Sequence, residues 1–166
     1  QTMANTVTVL DFFAPNCGFC KKQIPRIEPI REKYVEKGVR FVNVSQKMGA
    51  KEFSKDEVLD LLKGLGSKGE LALDHMNSVG PLFRATSYPT MVVVGKTGKI
   101  EAVNSGNLAD LESRLTGQLD ALLAGKPVPA DAPAAQAPAP APSQDPTKDA
   151  AKGMGVEAPK RATPED

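Results

Sequence analysis

Apolar and β-branched residues crowd the stretch TVTVLDFFA, residues 6–14, which is too short for a helix and runs into Pro15, so it predicts a buried strand. From Cys17 the pattern changes: Ile24, Ile27, Ile30 and Tyr34 recur at helical spacing among charged residues, predicting a helix that stops at Gly38. Pro25 and Pro29 fall inside it, and because each removes a backbone hydrogen bond, a bend near its first turns is expected. VRFVNVS, residues 39–45, reads as a second strand, and strand, helix, strand in this order implies a right-handed parallel crossover. Ser54 with Glu57 three residues later is a capping-box signature that opens a helix through Val58, Leu59, Leu61 and Leu62, ended by Gly64 and Gly66. LALD (71–74) predicts a short strand, and NSVGPLFRAT a short helix begun or interrupted at Pro81. TMVVVG (90–95) and KIEAVN (99–104), joined by KTG, form a hairpin. Asn107 is expected to cap a last helix whose apolar side is Leu108, Leu111, Leu115, Leu119 and Leu122, closed by Gly125. The order β-α-β, an α/β insertion at about 46–76, then β-β-α, predicts an α/β sandwich around one mixed sheet.

Composition divides the chain. Nine of its fourteen prolines lie at or after Pro127, in a stretch rich in alanine and without apolar periodicity. A folded domain over residues 1–126 is therefore expected, followed by an extended, disordered Pro/Ala-rich tail over 127–166 whose side chains cannot offset the entropy of ordering. The domain carries 17 basic and 14 acidic side chains and the tail 4 and 6, so neither part has the charge of a nucleic-acid binder, and the absence of tryptophan removes the usual stacking platforms. No window approaches the roughly 18 to 20 apolar residues that span a bilayer. Because the sequence opens on Gln1, any signal peptide or anchor is expected upstream of it.

Candidate chemistry concentrates in C-G-F-C, which holds both cysteines of the chain, Cys17 and Cys20. A bridge between residues three apart closes too small a loop to constrain much of the unfolded chain, so the pair reads as chemical rather than structural. At the start of a helix, unpaired backbone N–H groups and the helix dipole favour an anion, and the thiolate is the nucleophile of disulfide exchange. Cys17 is thus expected to attack a substrate disulfide and Cys20, one turn on, to resolve the mixed disulfide. Gly18 permits close backbone approach and Phe19 adds an apolar surface beside the sulfurs. Zinc, with only His75 as a further soft ligand in another segment, and a pair of inert buried thiols are the competing readings. Haem attachment is rejected by Lys21, where a histidine would be required. His75 itself reads as a capping or surface residue, Lys21 and Lys22 as a solvated helix face, and the scattered methionines give no copper cluster.

VLDFFAPNCGFCKKQIP, with Pro25 five residues after Cys20, and SYPTMVVVGKTGKI further on, resemble the active-site segment and the cis-proline loop with terminal hairpin of the thioredoxin superfamily. The long insertion followed by LALDHMNSVGPLFRATSYPT is similar to its TlpA and ResA type. The resemblance covers about residues 6–124 and implies a thioredoxin-like three-layer α/β/α sandwich. It also implies a thiol-disulfide oxidoreductase that works without a cofactor beyond the Cys17–Cys20 dithiol/disulfide, and without a metal. Asp11 matches the buried acid beneath the pair, which would exchange a proton as Cys20 becomes a thiolate; the alternative is a solvated carboxylate at a strand end. Pro89 matches the cis-proline, and Tyr88 would help shape the surface that grips substrate. Phe13 and Asn16 stand where the family often has tryptophan, and Phe19 where it often has proline. Phe41 replaces a lysine near the buried acid, so burial should raise the carboxyl pKa of Asp11 without a compensating cation.

The resemblance further implies a monomer acting on protein disulfides in a periplasmic or extracytoplasmic setting, anchored or free. An upstream thiol-disulfide donor, membrane-bound in some relatives, would supply its electrons, and the partners would be of the cytochrome c or copper-centre assembly kind. Two other functions stay open: a copper-binding, non-catalytic module, and an oxidase or isomerase of secreted proteins. Potentials from about −270 to −120 mV separate reductants from oxidants on such a fold, roughly 7 kcal/mol.

Overall fold

The computed structural model describes residues 5–129. Five strands form one mixed sheet: β1 (Thr8–Phe13), β2 (Arg40–Gln46), β3 (Glu70–Asp74), β4 (Thr90–Val94) and β5 (Ile100–Ser105), in the order β3-β2-β1-β4-β5. β1, β2 and β3 run parallel, while β4 and β5 are antiparallel to their neighbours. The insertion therefore supplies an edge strand, β3, to the main sheet. The expectation of an extended tail falls mostly on residues 130–166, which lie outside the described residues.

Alternation along β1 sorts its side chains between two faces. Val9 joins Ile27, Ile30 and Tyr34 of α1 (Gly18–Val35) and Leu111, Leu115 and Leu119 of α3 (Leu111–Leu123) in one core cluster. Phe13, on the same face, packs with Cys20 and Ile24 of α1 and with Val58 and Leu62 of α2 (Lys55–Gly64). Leu10 and Phe12 point the other way, into a cluster with Val44, Val92, Val94 and Val103. Ala85 and Phe83, at and after a 3₁₀ turn over Gly80–Phe83, close that cluster. The thioredoxin-like fold thus has its helices α1, α2 and α3 against one face and a thinner layer, built around the turn that Pro81 begins, against the other.

α1 runs unbroken through Pro25 and Pro29, both on its exposed side, where a carbonyl left without an intrahelical donor meets water. The Ser54–Glu57 capping box of α2 is present in full: Ser54 Oγ accepts from the Glu57 N–H, and the Ser54 N–H donates to Glu57 Oε2. The start of α3 differs from the sequence reading. The helix begins at Leu111 with Asp110 at its N-cap position and no side-chain cap, while Asn107 Oδ1 accepts from Arg26 Nη1 at 3.5 Å. Arg26 explains the difference, since it also pairs with Glu112 at 2.6 Å and donates to the Leu108 and Ala109 carbonyls, holding residues 107–109 as a strap onto α1.

Candidate active site

β1 delivers the chain to the C-terminal edge of the parallel strands, and a turn closed by the Cys17 N–H on the Ala14 carbonyl (3.0 Å) redirects it into α1. Cys17 is the N-cap residue, with extended backbone dihedrals, and its Sγ accepts the N–H of Cys20 at 3.2 Å. The sulfur thus sits where capping oxygens usually sit, at the positive end of the helix dipole. Cys17 and Cys20 are joined as a disulfide with Cα atoms 5.3 Å apart. Cys17 is 6% exposed and Cys20 1%, so the outer sulfur is the one a partner can reach.

Gly18 and Phe19 form the rim. A Cβ at Gly18 would meet nothing within 4 Å, so this fold does not itself require the glycine. Phe19 is 57% exposed, with the Lys22 ammonium 5.8 Å from its ring centre. Across the site, the Tyr88–Pro89 peptide bond is cis. Thr90 pairs with Phe12 in the β1–β4 ladder, which sets Pro89 level with Phe13 and the loop to Cys17. Tyr88 packs on the cluster that holds both cysteines.

Asp11 is buried in the middle of β1, 6% exposed, which excludes the solvated strand-end alternative. Burial pushes its carboxyl up from 3.8 to about 7, opposed only by a long hydrogen bond, 3.4 Å, from Gln23 Nε2. Among the described residues no cation contributes to the shift, and Phe41, in place of the family's lysine, sits buried on the neighbouring strand. Gln23 lies three residues after Cys20 on the inward side of α1, so one helical turn links the acid to the inner sulfur.

Several residues that sequence reasoning missed hold this edge together. Asn16 Nδ2 donates to the Met48 carbonyl at 2.9 Å, tying the nucleophile loop to the chain after β2. Asn77, at φ +52°, uses its side-chain amide as a two-point clamp on Lys47, accepting from its N–H and donating to its carbonyl, both at 2.8 Å. The Tyr88 hydroxyl donates to that same carbonyl at 3.4 Å. Asp74, 4% exposed, accepts from Gln46 Nε2 and from the backbone N–H groups of Ser78, Val79 and Gly80. Burial pushes its carboxyl up, but these donors outweigh it and hold Asp74 below the usual carboxylate range. Gly80 is required here, since a Cβ would lie 2.5 Å from Gln46 Nε2 and 2.8 Å from the Ala85 carbonyl oxygen. The available signal was two polar residues, Gln23 and Gln46, in otherwise apolar stripes. His75 is an exposed residue of the turn that follows Asp74.

A dithiol/disulfide pair at the mouth of a helix, backed by a buried acid and faced by a cis-proline loop on this fold, defines a class: a thioredoxin-like thiol-disulfide oxidoreductase whose redox pair is Cys17 and Cys20. The Redoxin family matches residues 1–119, and the chain belongs to that family. No curated protein matches the chain.

Among similar solved structures is a Chlorobium tepidum protein assigned as a thiol:disulfide interchange protein DsbE, 23% identical with a TM-score of 0.64, covering 73% of this chain and 82% of its own. A Neisseria meningitidis protein assigned as a thioredoxin is 25% identical with a TM-score of 0.58, covering 69% and 75%. A secreted Mycobacterium tuberculosis disulfide oxidoreductase homologous to E. coli DsbE is 17% identical with a TM-score of 0.59, covering 72% and 84%. Among the described residues, no helix is long and apolar enough to cross a membrane.

Proposed function

We propose that this oxidoreductase is a reductant of disulfides in selected extracytoplasmic partner proteins, of the cytochrome c or copper-centre assembly kind, acting as a monomer without a cofactor beyond its own dithiol. The observation that carries the chemistry is Cys17 Sγ at the N-cap of α1, accepting the Cys20 N–H. That N–H, aligned with the helix dipole, stabilises a Cys17 thiolate over the thiol. The extracytoplasmic setting is supported by the secreted and interchange proteins to which the fold is similar.

In the reduced enzyme the Cys17 thiolate attacks one sulfur of the partner disulfide, forming a mixed disulfide and releasing the other sulfur as a thiolate. Cys20 then passes its proton to the Asp11 carboxylate and attacks Cys17 Sγ. The mixed disulfide breaks, the partner leaves with its second thiolate, and Cys17–Cys20 closes as the disulfide. Two electrons have moved to the partner, and a dithiol donor upstream restores the enzyme by the reverse exchange. Phe19 and Tyr88 supply the apolar walls between which a partner segment lies, and Pro89 faces the pair from the far side.

Insulin reduction measured with the wild type and with Cys17→Ser tests the enzymatic reading, and the variant should lose at least about 1,000-fold in rate. Equilibration against glutathione tests direction. A potential below about −180 mV supports a reductant, and one well above it identifies an oxidase. Cys20→Ala, which stalls the mixed disulfide, should trap the partner covalently on Cys17.

A further inference from the structure

A cavity of about 20 Å³ lies against Asp11, between α1 and the β1–β2 part of the sheet. A single water needs roughly 10 to 15 Å³ on this measure, so the space holds one with little to spare. Its walls include Ile24 and Ile27 of α1 and Asn43, the β2 residue directly beside Asp11 in the ladder. Of its polar lining, Asp11 and Asn43 are buried while Glu28, Arg31 and Ser67 are only partly buried, so these three form the end nearer solvent. None of residues 14–20 lines it, so it leads away from the face on which a partner docks.

The outer end is a built feature. Glu28 Oε1 accepts from Arg31 Nε at 2.6 Å, and both side chains are nearly covered, 14% and 13% exposed. Glu28 Oε2 accepts the Lys68 N–H at 3.3 Å, which anchors the carboxylate to the turn ahead of β3. Ser67 Oγ accepts from Asn43 Nδ2 at 3.1 Å, leaving its own hydroxyl proton to donate. Among the described residues, the charged or titratable groups lining the cavity are Asp11 itself, Glu28 and Arg31. β2 presents Asn43 and Phe41, β4 presents Met91, and the Lys68 ammonium pairs with Glu32.

Asp11 must be ionised before it can take the proton of Cys20, so a reduced molecule whose Asp11 is already protonated has to give that proton to solvent first, and during the mixed disulfide the partner covers the sulfur side. We infer that Asp11 exchanges its proton with solvent by the back of the molecule, through one water in this cavity to the Glu28 carboxylate and Ser67 hydroxyl at its outer end, with Glu28 the relay residue. The inference rests on the proposed role of Asp11 as the acceptor of the Cys20 proton. The route is kinetic: closing it changes how fast Asp11 is made ready, not the equilibrium between dithiol and disulfide.

The test isolates the resolving step. Full-length reduced protein is mixed with Ellman's reagent so that Cys17 carries a thionitrobenzoate, and release of that coloured thiolate by Cys20 is followed by stopped flow between pH 5.5 and 8.5. In the wild type, exchange outruns attack and release is a single phase. In Ser67→Leu, which plugs the outer end, molecules that begin with Asp11 protonated must wait. Release should split below about pH 7 into a fast phase at the wild-type rate and a phase at least fivefold slower, the slow amplitude vanishing as pH rises. Glu28→Gln, which keeps the Arg31 hydrogen bond but accepts no proton, should show the same split with a slow phase at least twofold slower.

The reduction potential should be unchanged in both variants, a result that a merely structural disturbance beside the site would not give. If Ser67→Leu does not fold, Glu28→Gln carries the test alone. Single-phase, wild-type release in the folded variants, alongside slow release in Asp11→Asn, overturns the route and leaves Asp11 as the base. Unchanged release in Asp11→Asn overturns the base role and the route together.

Discussion

Asp11 and Asp74 are nearly equally hidden, 6% and 4% exposed, yet their carboxyls move in opposite directions. Burial pushes both up. Asp11, in the middle of the sheet, has one long donor from Gln23 and rises to about 7. Asp74, in the turn after β3, gathers Gln46 and three successive backbone N–H groups and falls below the ordinary range. Depth of burial and the number of donors together decide whether a hidden carboxylate stays a fixed charge or is pushed toward the neutral form: Asp11 lies deep with one long donor, Asp74 in a turn with four.

The largest effect should come from removing the fixed charge. Asp74→Ala leaves Gln46 Nε2 and three backbone N–H groups without their acceptor, and urea unfolding at pH 7 should show a loss of about 3 to 4 kcal/mol. The contribution of Asp74 is present above the ordinary carboxylate range and is lost as pH falls through its depressed folded value, so the gap between variant and wild type should narrow in acid.

Asp11→Asn should do the opposite and by less. A pKa raised from 3.8 to about 7 contributes stability that is complete below about pH 4 and disappears as pH rises through 7, a change on the order of 4 kcal/mol in the wild type. The variant lacks that dependence. It should be more stable than the wild type at pH 8 by on the order of 2 kcal/mol, after the cost of a buried amide, and no more stable at pH 4. Unfolding curves across that range that run parallel for the two proteins would show that Asp11 is not held near 7.

The smallest effect sharpens the comparison. Gln23→Leu takes from Asp11 its one side-chain donor, and the midpoint of its titration, read from the pH dependence of stability, should rise by up to about one unit. A downward move would mean that another group holds the carboxylate.

Much of the fold could be read along the chain because its signals are local. The β-branched run of β1, the Ile and Tyr spacing of α1 and the Ser54–Glu57 box each depend on neighbours a few residues away, and each element formed where they placed it. The start of α3 could not be read that way. Asn107 is a good capping residue, but Arg26, 81 positions earlier, engages it, and the helix begins at Leu111 instead. Gln23 and Asn77 were passed over for the same reason, since their partners Asp11 and Lys47 lie 12 and 30 residues away.

What the sequence determined by itself was the pair of sulfurs: C-G-F-C at the junction of a strand and a helix places Cys17 at a dipole end and Cys20 one turn above it, through short-range geometry alone. Only the tertiary structure decided which aspartate would be held ionised as a staple and which would be pushed toward the neutral form. Gln23 and Gln46 reach their carboxylates from 12 and 28 residues away, and the N–H groups of Ser78, Val79 and Gly80, though close in the chain, converge on Asp74 only because the turn after β3 folds back on it.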